Sequence, residues 1–100
     1  MGIEEMNVNI LKTKRHEILS IAASHGARNV RVFGSFARGE AVMGSDLDLL
    51  VQLDPGYSLL DIIAIKQDLG DLLGCKVDVV TEAAISPYIR EQVLREATAL

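Results

Sequence analysis

Three aspartates and a glycine-serine pair are the residues of this sequence whose types and spacing could support chemistry. Gly34 and Ser35 are followed, after ten intervening residues, by Asp46 and Asp48, and Asp78 lies in a later apolar stretch. In an extended strand, side chains two residues apart point to one face, so the first two aspartates are expected about 7 Å apart along the backbone. Two like charges side by side are unfavourable unless a cation compensates them. Oxygen ligands without His or Cys suit a hard cation, and we predict Mg²⁺ held by these carboxylates and by substrate phosphates.

The glycine-serine pair is the predicted phosphate end of the same site. Gly34 permits a sharp turn and a close backbone approach, and Ser35 stands where a short helix is expected to begin, with free amides facing an anion. Arg38 is a candidate phosphate ligand one turn later, although a surface ion pair with Glu40 explains it equally well. Ser45, directly before the paired aspartates, is included among the nucleotide-binding candidates.

Each feature alone also has an ordinary structural explanation. A Gly-Ser pair is common in strand-to-helix turns, and an Asp-x-Asp pair in an alternating strand is more often a solvated polar face. Here, however, Leu50 follows on the same face as the two acids, so they interrupt an apolar row. Asp78 is flanked by Val77 and Val79, which fits an interior strand where burial of a carboxylate would be costly. Together, the turn, the spacing and the three acids favour a functional site.

The elements that must position these residues alternate between helical and strand periods. Ser58 with Asp61 predicts a capping box for the clearest helix, which is expected to end at Gly74. Ser86 and Pro87 are expected to open a last helix. The predicted order is helix, strand, short helix, strand, helix, strand and helix, over residues 10–25, 29–33, 35–41, 47–53, 59–74, 75–81 and 87–97. This order predicts an α/β fold with helices packed on a small sheet.

Length and composition limit the classes of protein that this chain can be. A chain of 100 residues with 49% hydrophobic residues is expected to form a single domain over residues 1–100. The net charge of −4 and the low aromatic content argue against direct binding of a polynucleotide. Cys75 is the single cysteine and cannot form an internal disulfide. Apolar stretches are too short to cross a membrane, so a cytoplasmic protein is expected.

Two segments resemble a known family, GSFARGEAVMGSDLDLLV and KVDVV. They resemble the nucleotidyltransferase superfamily of the DNA polymerase β type, and most closely the minimal nucleotidyltransferases, which include the antitoxins paired with HEPN-domain toxins. The superfamily pattern of Gly-Ser, ten residues and Asp-x-Asp is met without a gap, and Asp78 matches the third acid of active members. The resemblance implies a polymerase β-like core, with helices on a small mixed sheet.

The resemblance also implies roles for the matching residues. Gly34 and Ser35 would hold the nucleotide triphosphate, and Asp46, Asp48 and Asp78 would be catalytic and bind two Mg²⁺ ions. The implied reaction is transfer of AMP from ATP to a hydroxyl, expected to be a tyrosine's, of a partner HEPN toxin in a hetero-oligomer. Larger members add domains for primer, tRNA or aminoglycoside, and no such domain is expected in these 100 residues. The acceptor is therefore expected to bring its own recognition surface.

Three alternatives stay open at this point. The chain could neutralise a partner by contact alone, with a vestigial nucleotide site, although intact acids weigh against this. It could modify a small molecule such as an aminoglycoside, which the short chain disfavours. A sugar-nucleotide glycosyltransferase also uses Asp-x-Asp, but normally in a far larger protein without the Gly-Ser turn. The sequence leaves open the acceptor atom, the nucleobase and the number of nucleotides transferred.

Overall fold

The structure is a computed structural model that describes residues 8–42 and 44–100. Its elements, in chain order, are α1 (Val8–Thr13), α2 (Arg15–Ser24), β1 (Ala27–Phe33), β2 (Leu47–Leu53), α3 (Leu59–Leu73), β3 (Val77–Thr81), a 3-10 helix (Glu82–Ala84), α4 (Pro87–Glu96) and β4 (Thr98–Ala99). None of the helices in the described part of the chain has both the length and the apolar character needed to cross a bilayer.

The four strands form one mixed sheet in the order β3-β2-β1-β4. β1 is antiparallel to both β2 and β4, whereas β2 and β3 are parallel and are connected through α3. A parallel pair requires a crossover of this kind, because a tight turn can join only antiparallel neighbours. The small mixed sheet with helices packed on it confirms the predicted fold class.

The two faces of β2 are buried to different extents along the strand. Leu47, Leu49 and Val51 belong to the main core cluster, in which the sheet packs against α2 and α3. Leu50 points to the other face and joins Val93 in a smaller cluster. Since alternate residues of a strand share a face, the second face is apolar at Leu50 and acidic two residues earlier.

The local signals for α3 and α4 are confirmed, two other expectations need correction, and two short elements were missed. Ser58 and Asp61 form the complete capping box of α3, and Gly74 ends it with a φ of 69°. The first predicted helix is divided into α1 and α2 at Lys14. The predicted short helix is a series of turns over residues 34–39. The 3-10 helix and β4 were not predicted from the sequence, because each is only two or three residues long.

One ion pair on the second face of the sheet is expected to make the stability of the fold depend on pH. Arg31 Nη2 lies 2.6 Å from Glu82 Oε2, and this hydrogen bond is the main cause that lowers the pKa of the Glu82 carboxyl. A lowered carboxyl pKa stabilises the fold above the ordinary value of 4.5, and the contribution is lost as pH falls through the folded value. Glu82→Gln is therefore expected to be less stable than wild type at pH 7 and to approach it in acid, measured by urea unfolding.

The control for this prediction is Glu91→Gln, which removes an exposed carboxylate from α4. Its stability is expected to stay near that of wild type at every pH, because surface substitutions away from such contacts usually have small effects. A stability deficit of Glu82→Gln that is equally large at pH 3 and at pH 7 would contradict the assignment to an ion pair.

Candidate functional site

The three predicted acids lie at one end of the parallel strand pair. Asp48 and Asp78 are direct partners in the register between β2 and β3, so their side chains leave the same face of the sheet. Asp46 lies two residues before Asp48, immediately ahead of β2. The side chains of Asp46 and Asp78 are 45% and 48% exposed. The structure therefore brings the three residues to one open face.

The expectation that Asp78 lies on an interior strand is wrong. Among the described strands, β3 lies at the edge of the sheet and pairs with β2 alone. Val77 and Val79 are buried in the main core, but Asp78 alternates with them and points to the opposite face. The flanking valines thus report the burial of one face of β3, and the carboxylate itself is half-exposed.

The electrostatics around Asp48 reflect the crowding of like charges. Partial burial raises the pKa of the Asp48 carboxyl, and Asp78 and then Asp46 raise it further, whereas Arg38 lowers it. Lysines accompany the two outer acids, with Lys76 Nζ 4.0 Å from Asp46 Oδ2. The neighbouring acids thus disfavour the ionised form of Asp48. A bound cation would favour the ionised form of the carboxylates.

The carboxylates of the three aspartates are oxygen ligands that suit a hard cation, although they do not converge on one point in this structure. Within residues 8–42 and 44–100, no three His, Cys, Asp or Glu side chains form a cluster that could hold a metal ion as they stand. Lys66 Nζ lies 3.8 Å from Asp78 Oδ1, so a long side chain holds this acid from the side. Asp46 and Asp78 are half-exposed, so their carboxylates are accessible to solvent. Three carboxylates with open solvent access are the ligands that Mg²⁺ prefers.

The glycine-serine turn lies directly against Asp48. Gly34 has a φ of +74°, and a Cβ built on it would lie 2.3 Å from Asp48 Oδ2. Two requirements therefore select glycine here, the left-handed backbone and the approach of the carboxylate. Phe36, which is 2% exposed, fixes the turn in the main core. The main-chain N–H of Arg38 donates to the carbonyl of Gly34 at 3.1 Å, which closes the turn.

The remaining nucleotide-binding candidates, Ser35, Arg38 and Ser45, make different contacts in the structure. Ser35 is partly buried within the turn, and its carbonyl accepts from the N–H of Glu40 at 2.9 Å. Arg38 Nε donates to Glu40 Oε1 at 2.9 Å, which is the surface ion pair considered from the sequence. Ser45 Oγ accepts from the N–H of Val42 at 2.9 Å and closes the loop before β2. The structure thus brings Arg38 to the acids and gives Ser45 a local contact.

Glu96, at the end of α4, contacts the glycine-serine turn, and sequence reasoning missed this contact. The N–H of Gly34 donates to Glu96 Oε1 at 2.9 Å, and Arg38 Nη1 donates to both Glu96 oxygens at 3.2 Å. Glu96 also raises the pKa of Asp48. No local signal could have found it, because a glutamate near the end of an amphipathic helix is ordinary and the contact spans 62 positions of the chain.

Comparisons with known proteins identify the family of this chain. Residues 15–100 match the family described as nucleotidyltransferase domain. The protein adenylyltransferase MntA of Thermococcus cleftensis is 41% identical over 88 residues, which cover 80% of this chain and 89% of that protein. A solved structure, provisionally described as a minimal nucleotidyltransferase, superposes with a TM-score of 0.85 at 53% identity, over 95% of this chain and 97% of that one.

A second solved structure shares the fold at much lower identity. It is the complex of a tri-AMPylated HEPN toxin of Shewanella oneidensis with an MNT antitoxin, with a TM-score of 0.67 at 18% identity over 88% of this chain and 69% of that one. The match to the family covers most of the chain and includes the turn and all three acids. The chain therefore belongs to the nucleotidyltransferase domain family, as the resemblance of its Gly-Ser and Asp-x-Asp residues predicted.

Proposed function

We propose that this protein is a Mg²⁺-dependent adenylyltransferase that transfers AMP from ATP to a tyrosine hydroxyl of a partner HEPN toxin and so acts as its antitoxin. The observation that supports it most is the contact of the turn with the acidic pair. A Cβ on Gly34 would lie 2.3 Å from Asp48 Oδ2, and Asp48 is in register with Asp78. A phosphate-binding turn and a candidate metal site therefore form one continuous site.

The residues of the turn would bind and orient the polyphosphate. The N–H of Gly34 and the guanidinium of Arg38 already bind one anionic group together, the Glu96 carboxylate. Donors fixed in this way can hold the triphosphate so that its α-phosphorus faces the acids, and positioning of this kind supplies much of the rate of phosphoryl transfer. Ser35 lies in the same turn and is proposed as part of the phosphate cradle.

The three acids have two proposed tasks. Asp46, Asp48 and Asp78 would hold Mg²⁺, which supplies neutralisation of the triphosphate and a lower pKa for a nearby hydroxyl. Asp78, whose side chain is 48% exposed, is also proposed to accept the proton of the incoming hydroxyl. The hydroxyl oxygen bonds to the α-phosphorus, the bond from that phosphorus to the bridging oxygen of the β-phosphate breaks, and pyrophosphate leaves.

An acceptor on another protein fits the openness of the site. Asp46 and Asp78 are about half-exposed, so a side chain presented on a folded surface can reach them. The names of the similar proteins support the same acceptor class, since one is a protein adenylyltransferase and another is an antitoxin bound to a tri-AMPylated HEPN toxin. A small-molecule acceptor would need a pocket around it on this face.

The direct test is the intact mass of a candidate HEPN partner protein that has been incubated with this protein, ATP and Mg²⁺. We expect the partner to gain the mass of one or more AMP groups and to lose its toxicity. Chelation with EDTA is expected to prevent the gain, and replacing the modified tyrosine of the partner by phenylalanine should remove it. A partner whose mass is unchanged with ATP and Mg²⁺, while its toxicity is still neutralised, would favour inhibition by contact instead.

A further inference from the structure

The Glu96 carboxylate occupies the donors that a nucleotide phosphate would need. One of its oxygens accepts from the N–H of Gly34 at 2.9 Å, and both accept from Arg38 Nη1 at 3.2 Å. A carboxylate and a phosphate are both anions that accept from backbone N–H groups and from guanidinium. The same N–H of Gly34 has one hydrogen, so the internal carboxylate and a phosphate oxygen cannot both use it fully.

Glu96 is held firmly enough to compete and loosely enough to be displaced. The Glu96 side chain is 19% exposed, so its carboxylate is largely shielded from water, whereas the Arg38 side chain is 43% exposed. Of the residues of α4, all of which the structure describes, Val93 is the buried one. An element attached by few buried contacts opens at low cost, and rotation of the Glu96 side chain alone would free the donors. Glu96 can therefore leave without unfolding the sheet.

We propose that Glu96 is an internal competitor of the nucleotide, a carboxylate that fills the phosphate-binding position at Gly34 and Arg38 until ATP displaces it. The inference rests on the proposed function, because it gives the same site a regulation. It makes the affinity for ATP lower than the turn alone would provide. Any event that moves Glu96 away from Gly34 and Arg38, such as a partner contact on α4, raises the affinity for ATP and leaves the rate of the chemical step unchanged.

The test compares ATP binding by isothermal titration calorimetry, with Mg²⁺ present, for wild type and three variants. Glu96→Gln removes the charge and keeps the shape, and Glu96→Ala removes the acceptor altogether. Both are expected to bind ATP about tenfold more tightly. Loss of one competing hydrogen bond to a charged group changes the binding free energy by roughly the amount that corresponds to a tenfold change in affinity. Glu91→Gln removes an exposed charge from the same helix, and its affinity is expected to change less than about twofold.

The outcomes separate this inference from the proposed function. Tighter binding by both Glu96 variants, with a lower KM for ATP in AMP transfer and an unchanged kcat, would support the competitor. Equal affinities in all four proteins, with AMP transfer by wild type intact, would overturn the competitor and leave the proposed function standing. Weaker binding by the Glu96 variants would also overturn it, because Glu96 would then help to bind the nucleotide. A lack of ATP binding by all four proteins would overturn both.

Discussion

Asp48→Asn is expected to reduce AMP transfer to the partner by at least about a hundredfold, because a neutral amide cannot supply the charge that the site needs. The same substitution is expected to raise the stability of the fold at pH 7. Partial burial and the neighbouring acids raise the pKa of Asp48, so folding disfavours its ionised form. A group of this kind reduces stability above its folded pKa, and removing its charge relieves that loss. Initial rates of AMP incorporation and urea unfolding midpoints measure the two effects.

The matched control is Asp71→Asn, an exposed aspartate on α3, the helix that packs on the other face of the sheet from Asp48. It removes the same charge and is expected to leave both the rate and the stability near those of wild type. Opposite signs of the two effects, lower activity with higher stability, are the signature of a functional site that is electrostatically strained. If Asp48→Asn lost activity and stability together, Asp48 would instead be a structural residue. If the variant still neutralised the toxin without AMP transfer, contact inhibition would be the function.

Much of the fold could be predicted because its signals are local. The capping box at Ser58 and Asp61 and the left-handed Gly74 fix both ends of α3 within one or two turns of chain. The apolar run of β2 was likewise predicted with its observed bounds, 47–53. The elements that could not be predicted form through contacts between residues that are far apart in the sequence. β4 has only two residues and exists because it pairs with Val32 and its neighbour in β1.

Some features of the candidate site also follow from local sequence spacing, whereas others depend on contacts between distant parts of the chain. The period of a strand placed Asp46 and Asp48 on one face, and this required no knowledge of the fold. The location of Asp78 beside them depends on the register between two strands that are separated by α3. The contact of Glu96 with Gly34 depends on how α4 packs, and no pattern of spacing contains that information.

Gly34→Ala is the second substitution with a large expected effect, and it tests the approach of the turn to Asp48. The new Cβ would lie 2.3 Å from Asp48 Oδ2, closer than a carbon and an oxygen can approach. Either the turn or the carboxylate has to move, and a displacement of this size near the reacting groups is expected to reduce AMP transfer about a hundredfold. The positive φ of Gly34 adds a loss of stability of about 1 to 2 kcal/mol.

Gly39→Ala separates the two contributions, because it repeats the backbone strain without the clash. Gly39 has a φ of +72°, close to the +74° of Gly34, but a Cβ built on it meets no atom within 4 Å. We therefore expect Gly39→Ala to lose only the stability that the backbone strain costs and Gly34→Ala to lose at least as much, measured by urea unfolding, with a loss of AMP transfer in Gly34→Ala alone. Equal activities of the two variants would show that contact between the turn and Asp48 is unnecessary for the reaction. A hundredfold difference between variants with similar backbone strain would therefore point to the position of the added methyl group, and the three atoms nearest to it at Gly34 all belong to Asp48.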